Sequence, residues 1–95
     1  MAGSSALQVQ LVAADREVWS GEASMVSAVT PEGSLGVLPG HEPFLSLLAD
    51  GPVSVLGVGG ESVVADVSSG FMSVDHDLVT IVAQQVSVTA GSAKG

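Results

Sequence analysis

Apolar and polar residues alternate along most of this chain, and the period is two. Leu7, Val9 and Leu11 interleave with Gln8 and Gln10, which predicts a strand with one buried face. Asp15-Arg16 breaks the pattern, and Val18-Trp19 resumes it as a short strand before Ser20-Gly21. From Glu22 to Val29, Val26 and Ala28 share one face while Met25, Ser27 and Val29 share the other. Phe44-Leu45-Ser46-Leu47-Leu48 reads as a buried strand or one helical turn, and its length favours the strand. Asp50-Gly51-Pro52 signals a turn. Val53 to Val58 and Glu61 to Ser68 flank Gly59-Gly60, the spacing of a two-residue β-hairpin. Ser69-Gly70 turns into Phe71–Val74, and Asp75-His76-Asp77 turns into Leu78–Val82.

No segment carries a helical period. Short strands separated by frequent turns predict an all-β fold, an antiparallel β-sandwich or flattened barrel of about ten short strands. One domain over residues 1–88 is expected, followed by a loose, small and polar tail over 89–95.

One stretch resists the alternation. Thr30 to Leu47 holds three of the four prolines and one of the two histidines. Pro31 and Pro39 fix their own φ and push Thr30 and Leu38 toward extended backbone. The segment predicts a shaped loop with a short strand, Leu35–Leu38, inside it. Such loops on a rigid scaffold are where contacts are usually made.

Composition narrows what that loop does. The chain has 95 residues, 46% of them hydrophobic, yet only three are aromatic, so the core is aliphatic. Ten acidic residues oppose one lysine and one arginine, for a net charge of −8. That balance argues against nucleic-acid backbone and against anionic lipid as partners. There is no cysteine, hence no disulfide and no thiolate chemistry. The N-terminus shows no signal-peptide pattern, and no apolar run approaches the ~20 residues that span a bilayer. A soluble chain without direct membrane insertion is expected.

Candidate chemistry is sparse. His41 sits beside Glu42 and His76 between two aspartates, but neither lies in an HxH or HxxxH pattern with further ligands. No serine lies in G-x-S-x-G, and Gly33–Gly36 and Gly57–Gly60 lack the lysine and following helix of a phosphate loop. Catalysis by this chain, a metal site and a cofactor site are therefore not expected. Trp19 reads either as core filler or as a partner anchor. Leu38, Phe44 and Leu45 either close the sandwich or form an exposed patch.

Gly33-Ser-Leu-Gly-Val-Leu-Pro-Gly-His-Glu-Pro-Phe-Leu45 closely resembles the G-x-hydrophobic-G-hydrophobic-hydrophobic-P-G-H-x-P-hydrophobic-L segment of the F-type ATP synthase epsilon subunit, called delta in mitochondria. Leu7–Ala14, Val18-Trp-Ser-Gly21, Gly51-Pro-Val53, Ser69-Gly-Phe-Met-Ser-Val74 and Leu78–Ala83 resemble that family's other elements, in the same order. The likeness covers residues 7 to 84.

The resemblance implies a ten-stranded sandwich at the foot of the central stalk, bound to the gamma subunit and to the ring of c subunits. It implies a non-catalytic rotor part of the F1 assembly, beneath its alpha3/beta3 head, at the cytoplasmic face of a bacterial plasma membrane. Carried over by position, Leu38, Pro39, Gly40, His41 and Glu42 match the gamma-facing segment, with Ala13 a second gamma-facing position. Glu32, Gly33 and Ser34 match the turn that meets the c-ring. Serine stands at position 34 where the family usually has an acidic residue, and Glu32 is the nearby substitute. Family members usually continue into two C-terminal helices that inhibit ATP hydrolysis and in some bacteria bind ATP. This sequence lacks them, so neither property is expected of it. The alternative reading is a free-standing adhesive or carbohydrate-binding sandwich.

Overall fold

The computed structural model describes residues 6–92, with side-chain surroundings through residue 89. Seven strands make up the described chain: β1 (Leu7–Ala13), β2 (Arg16–Thr30), β3 (Gly33–Val37), β4 (Phe44–Leu48), β5 (Gly51–Gly57), β6 (Ser62–Asp75) and β7 (Leu78–Ser92). There is no helix among the described residues. The strands pair in the order β1-β7-β6-β5-β2-β3, β4 adds to β6, and a β1–β2 pairing joins the path back on itself.

Seven strands replace the expected ten because three of them bend and serve both layers of a sandwich. Residues 16–23 of β2 pair with β1, while Ala23–Ser27 pair with β5 and Val26–Thr30 with β3. In β6, Ser62–Val67 pair with β5 and Gly70–Val74 with β4. β7 follows β6 over its whole length, as one antiparallel ribbon. Counting each bent strand in both layers restores about ten strand segments. The expected breaks at Ser20-Gly21 and Ser69-Gly70 are therefore not chain reversals.

Each bend shifts the alternation by one residue, and that is what disguised it. In β6 the buried side chains are Ala65 and Val67 before the bend, then Met72 and Val74 after it. In β7 they are Val79, Ile81 and Ala83, then Val86, with Gln84 and Gln85 both exposed. In β2, Ala23 gives way to Val26 and Ala28. A strand crossing from one layer to the other must re-aim its inward face, and an irregular residue pair does so. At the β6 bend, Ser69 takes φ 57° and Gly70 packs directly against β7.

The core is aliphatic, as composition requires. Leu7, Val9 and Leu11 are at most 1% exposed, so the alternation read in β1 is the one the fold buries. No polar or charged residue is buried among the described residues. Trp19 is half-buried, packs against this core, and lays its ring over Gly21.

Four details depart from expectation. The β1–β7 pair is parallel, from Gln8↔Leu78 to Ala13↔Ala83, within an otherwise antiparallel arrangement. The Gly59-Gly60 hairpin has a four-residue loop, Val58–Glu61, closed by a bond from the Gly57 N–H to the Glu61 carbonyl at 2.7 Å. The short strand in the loop covers Gly33–Val37 and leaves Leu38 outside it. β7 runs on to Ser92, into the segment read as a loose tail, and residues 93–95 lie outside the described residues.

Candidate partner-contact site

The loop between β3 and β4 is built on a turn that its own residues dictate. Leu38-Pro39-Gly40-His41 closes with the His41 N–H donating to the Leu38 carbonyl at 3.2 Å. Gly40 takes φ +89°. Proline at the second position and glycine with positive φ at the third define a type II turn. His41 then folds back: its Nδ1 lies 2.8 Å from the Glu42 carbonyl, and its ring meets Phe44 edge-on at 4.9 Å between centroids. His41 is thus fixed from two sides, a tethered loop histidine rather than one aimed at ligands.

Across from it stands the β2–β3 hairpin, with Pro31 and Glu32 at its tip between the paired Thr30 and Gly33. The Thr30 hydroxyl donates to the Gly33 carbonyl at 2.9 Å and accepts from the Glu32 N–H at 3.2 Å. One hydroxyl thereby serves one backbone donor and one backbone acceptor of the turn. Glu32, Gly33 and Ser34 are all exposed.

Both segments line one open cleft of about 360 Å³, floored by Leu35 and Phe44, with Glu32 and Ser34 on one wall and His41 and Glu42 on the other. Two groups assigned to different partners from the sequence are thus brought side by side. Ala13 is not. It is 4% exposed, at the far end of β1, paired to Ala83 and opposite the Gln8 end that approaches the loop's neighbour Asp77. Five strand steps separate the two ends, roughly 17 Å.

The large apolar residues near the loop divide. Phe44 packs against the core, whereas Leu38 is 57% and Leu45 71% exposed. Leu47 is exposed too, and register places it opposite Phe71, which faces Val82, which faces Val12. These four side chains form an apolar row across the outer face of one layer. No charged residue occurs in β1, β4, Gly70–Val74 or Leu78–Ala83, although the chain carries twelve Asp, Glu, Lys and Arg. Sequence reading missed this row because its members lie far apart in the chain; the run Phe44–Leu48, apolar on both faces of a strand, was the one available signal. At the second histidine, His76 Nδ1 lies 2.6 Å from Asp75 Oδ1 on the surface. Among the described residues no three His, Cys, Asp or Glu converge as a metal would require.

The family described as the ATP synthase Delta/Epsilon chain, beta-sandwich domain, matches residues 6–89. The chain is similar to the ATP synthase epsilon chain of Streptomyces avermitilis, 50% identical over 78 residues that cover 82% of this chain and 63% of that one. It is 51% identical over 77 residues to the same-named chain of Micrococcus luteus, covering 81% and 85% of the two. With that of Frankia casuarinae it shares 47% identity over 83 residues, covering 87% of this chain and 98% of the relative. Among solved structures, a chain of the Euglena gracilis mitochondrial ATP synthase OSCP/F1/c-ring assembly superposes with a TM-score of 0.83 at 26% identity, covering 93% of this chain and 57% of that one. A chain of the Tetrahymena thermophila mitochondrial central stalk and c-ring shares the fold, with a TM-score of 0.72 at 20% identity, covering 84% and 64%. On the matched span of sequence and fold together, the chain belongs to the family of the ATP synthase delta/epsilon-chain β-sandwich domain.

Proposed function

We propose that this chain serves as a central-stalk subunit of a proton-translocating ATP synthase, holding the gamma subunit to the c-ring so that the two turn together. It does so without catalysing a reaction, as a peripheral part of the complex on the cytoplasmic face of a bacterial plasma membrane. The Leu38–Glu42 loop meets gamma, and the Glu32–Ser34 tip meets the c-ring.

The observation that carries this reading is the contact loop itself: a turn locked by Pro39 and Gly40, projecting an exposed Leu38 beside an uncharged sheet face. A rotor clamp needs a stiff surface, because a compliant one would absorb torque. The exposed Leu38 and Leu45, leading on to the apolar row, give the extended, poorly solvated patch that protein partners cover. The similarity to named epsilon chains and to a chain in an F1/c-ring assembly supports partners within an ATP synthase, and the resemblance of the Leu38–Glu42 segment points to gamma among them. Ala13 takes no part in the proposed contact, since its side chain belongs to the core.

The test is association of the folded domain with purified gamma and with a gamma–c-ring complex. Binding at micromolar concentration is expected, weakened about tenfold or more by Leu38→Asp, since burying one leucine contributes about 1.5–3 kcal/mol. His41→Asp should act in the same direction. Both variants should keep the wild-type melting point, because neither residue is in the core. No association of the wild-type domain, or unfolding of both variants, refutes the reading.

A further inference from the structure

Asp77 is bonded to the contact loop 37 positions before it in the chain. Its Oδ1 accepts a hydrogen bond from the Gly40 N–H at 2.8 Å, and its backbone carbonyl accepts one from the Gln8 N–H at 2.7 Å. The turn's own bond runs from His41 to Leu38, so the Gly40 N–H is left to donate outward. Leu38 and Glu42 are exposed and contribute little packing to hold the turn in place.

Asp77 also stands in the left-handed region, which glycine adopts freely and aspartate and asparagine tolerate. It has φ +63° and His76 has φ +51°, so the two-residue β6–β7 connection has positive φ at both central positions, as in a type I′ turn. Glycine suits that geometry better, because it has no Cβ to clash. Glycine would serve the hairpin at this position as well, and the one side-chain hydrogen bond of Asp77 among the described residues goes to the contact loop.

We infer that Asp77 is the positioning residue of the contact loop: its carboxylate holds the Leu38–His41 turn in the conformation that meets the partner. The identity of that partner rests on the function proposed above; the ordering of the loop does not.

Two variants separate the roles. Asp77→Gly removes the acceptor while easing the backbone, and Asp77→Asn keeps Oδ1 on a residue that tolerates positive φ. Three readouts apply to each: the melting point, the exchange rate of the Gly40 amide by NMR, and the dissociation constant for purified gamma. For Asp77→Gly the melting point should hold or rise, while Gly40 exchange and the gamma dissociation constant each increase about tenfold, the size expected for one lost bond to a charged acceptor. Asp77→Asn should stay within about threefold of wild type in both, because a neutral acceptor keeps about half the strength of a charged one. Unchanged Gly40 exchange in Asp77→Gly overturns the inference. So does faster exchange with an unchanged gamma affinity. Should wild type fail to bind gamma, the functional reading falls, and Gly40 exchange alone still decides whether Asp77 holds the loop.

Discussion

Gly70→Ala tests the bend that lets one strand serve two layers. A Cβ built on Gly70 would lie 2.6 Å from the Val82 carbonyl oxygen and 2.9 Å from the Ala83 Cβ. Both neighbours belong to β7, and Gly70 pairs with Ala83 in the β6–β7 ladder. Neither contact is the far end of a flexible side chain, so relief requires moving one strand away from the other. That movement would fall where both strands change layer, with Met72 and Ile81 fully buried beside it. Overpacking of this kind costs about 1–3 kcal/mol. For a domain of this size each kcal/mol moves the melting point by about 4–8 °C, so a fall of about 4–24 °C is expected. The assay is thermal and urea unfolding followed by circular dichroism. Gly36→Ala in β3 is the control, because a Cβ there meets nothing within 4 Å. The control should stay within about 0.5 kcal/mol of wild type. If Gly70→Ala melts no lower than Gly36→Ala, the close approach at the bend is not what holds the two layers in place.

Other substitutions test the core and the turn. Ile81→Ala removes a fully buried side chain and should lower unfolding free energy by about 2–5 kcal/mol, against about 0.5–1.5 for Ile81→Val, read from urea midpoints. Near-equal losses for the two would mean the β7 core is loosely packed. At His76, φ +51° disfavours a branched side chain, so His76→Val should cost about 1–2 kcal/mol. His76→Asn should stay within about 0.5 kcal/mol, because asparagine tolerates this backbone. A large loss in His76→Asn would give the exposed His76–Asp75 contact a weight that surface ion pairs rarely have.

Much of the candidate site was legible residue by residue. Pro39 and Gly40 announce a turn from their own backbone preferences, and the structure gives them one, with Gly40 at φ +89°. The Leu38-Pro-Gly-His-Glu42 motif also carried the resemblance that the family match bears out. Less legible was what stands beside the loop. The cleft wall contributed by Glu32 and Ser34, the apolar row ending at Leu47, and the Asp77 carboxylate all reach the site through strand pairing. Local periodicity holds no record of such pairings.

By itself, the sequence determined an all-β, aliphatic, one-core domain, because a period of two and β-branched residues leave few other ways to bury these side chains. It also determined the inward face of β1 and the shape of the Leu38–His41 turn, both of which depend on residues close in the chain. Only the tertiary structure decided that β2, β6 and β7 pass through both layers. At each passage the alternation slips by one residue, and from sequence such a slip is indistinguishable from the end of a strand. Only the tertiary structure, too, paired β1 with β7 in parallel and brought Asp77 to Gly40. Those contacts join residues tens of positions apart, and their energies are set by the register of strands that must form first.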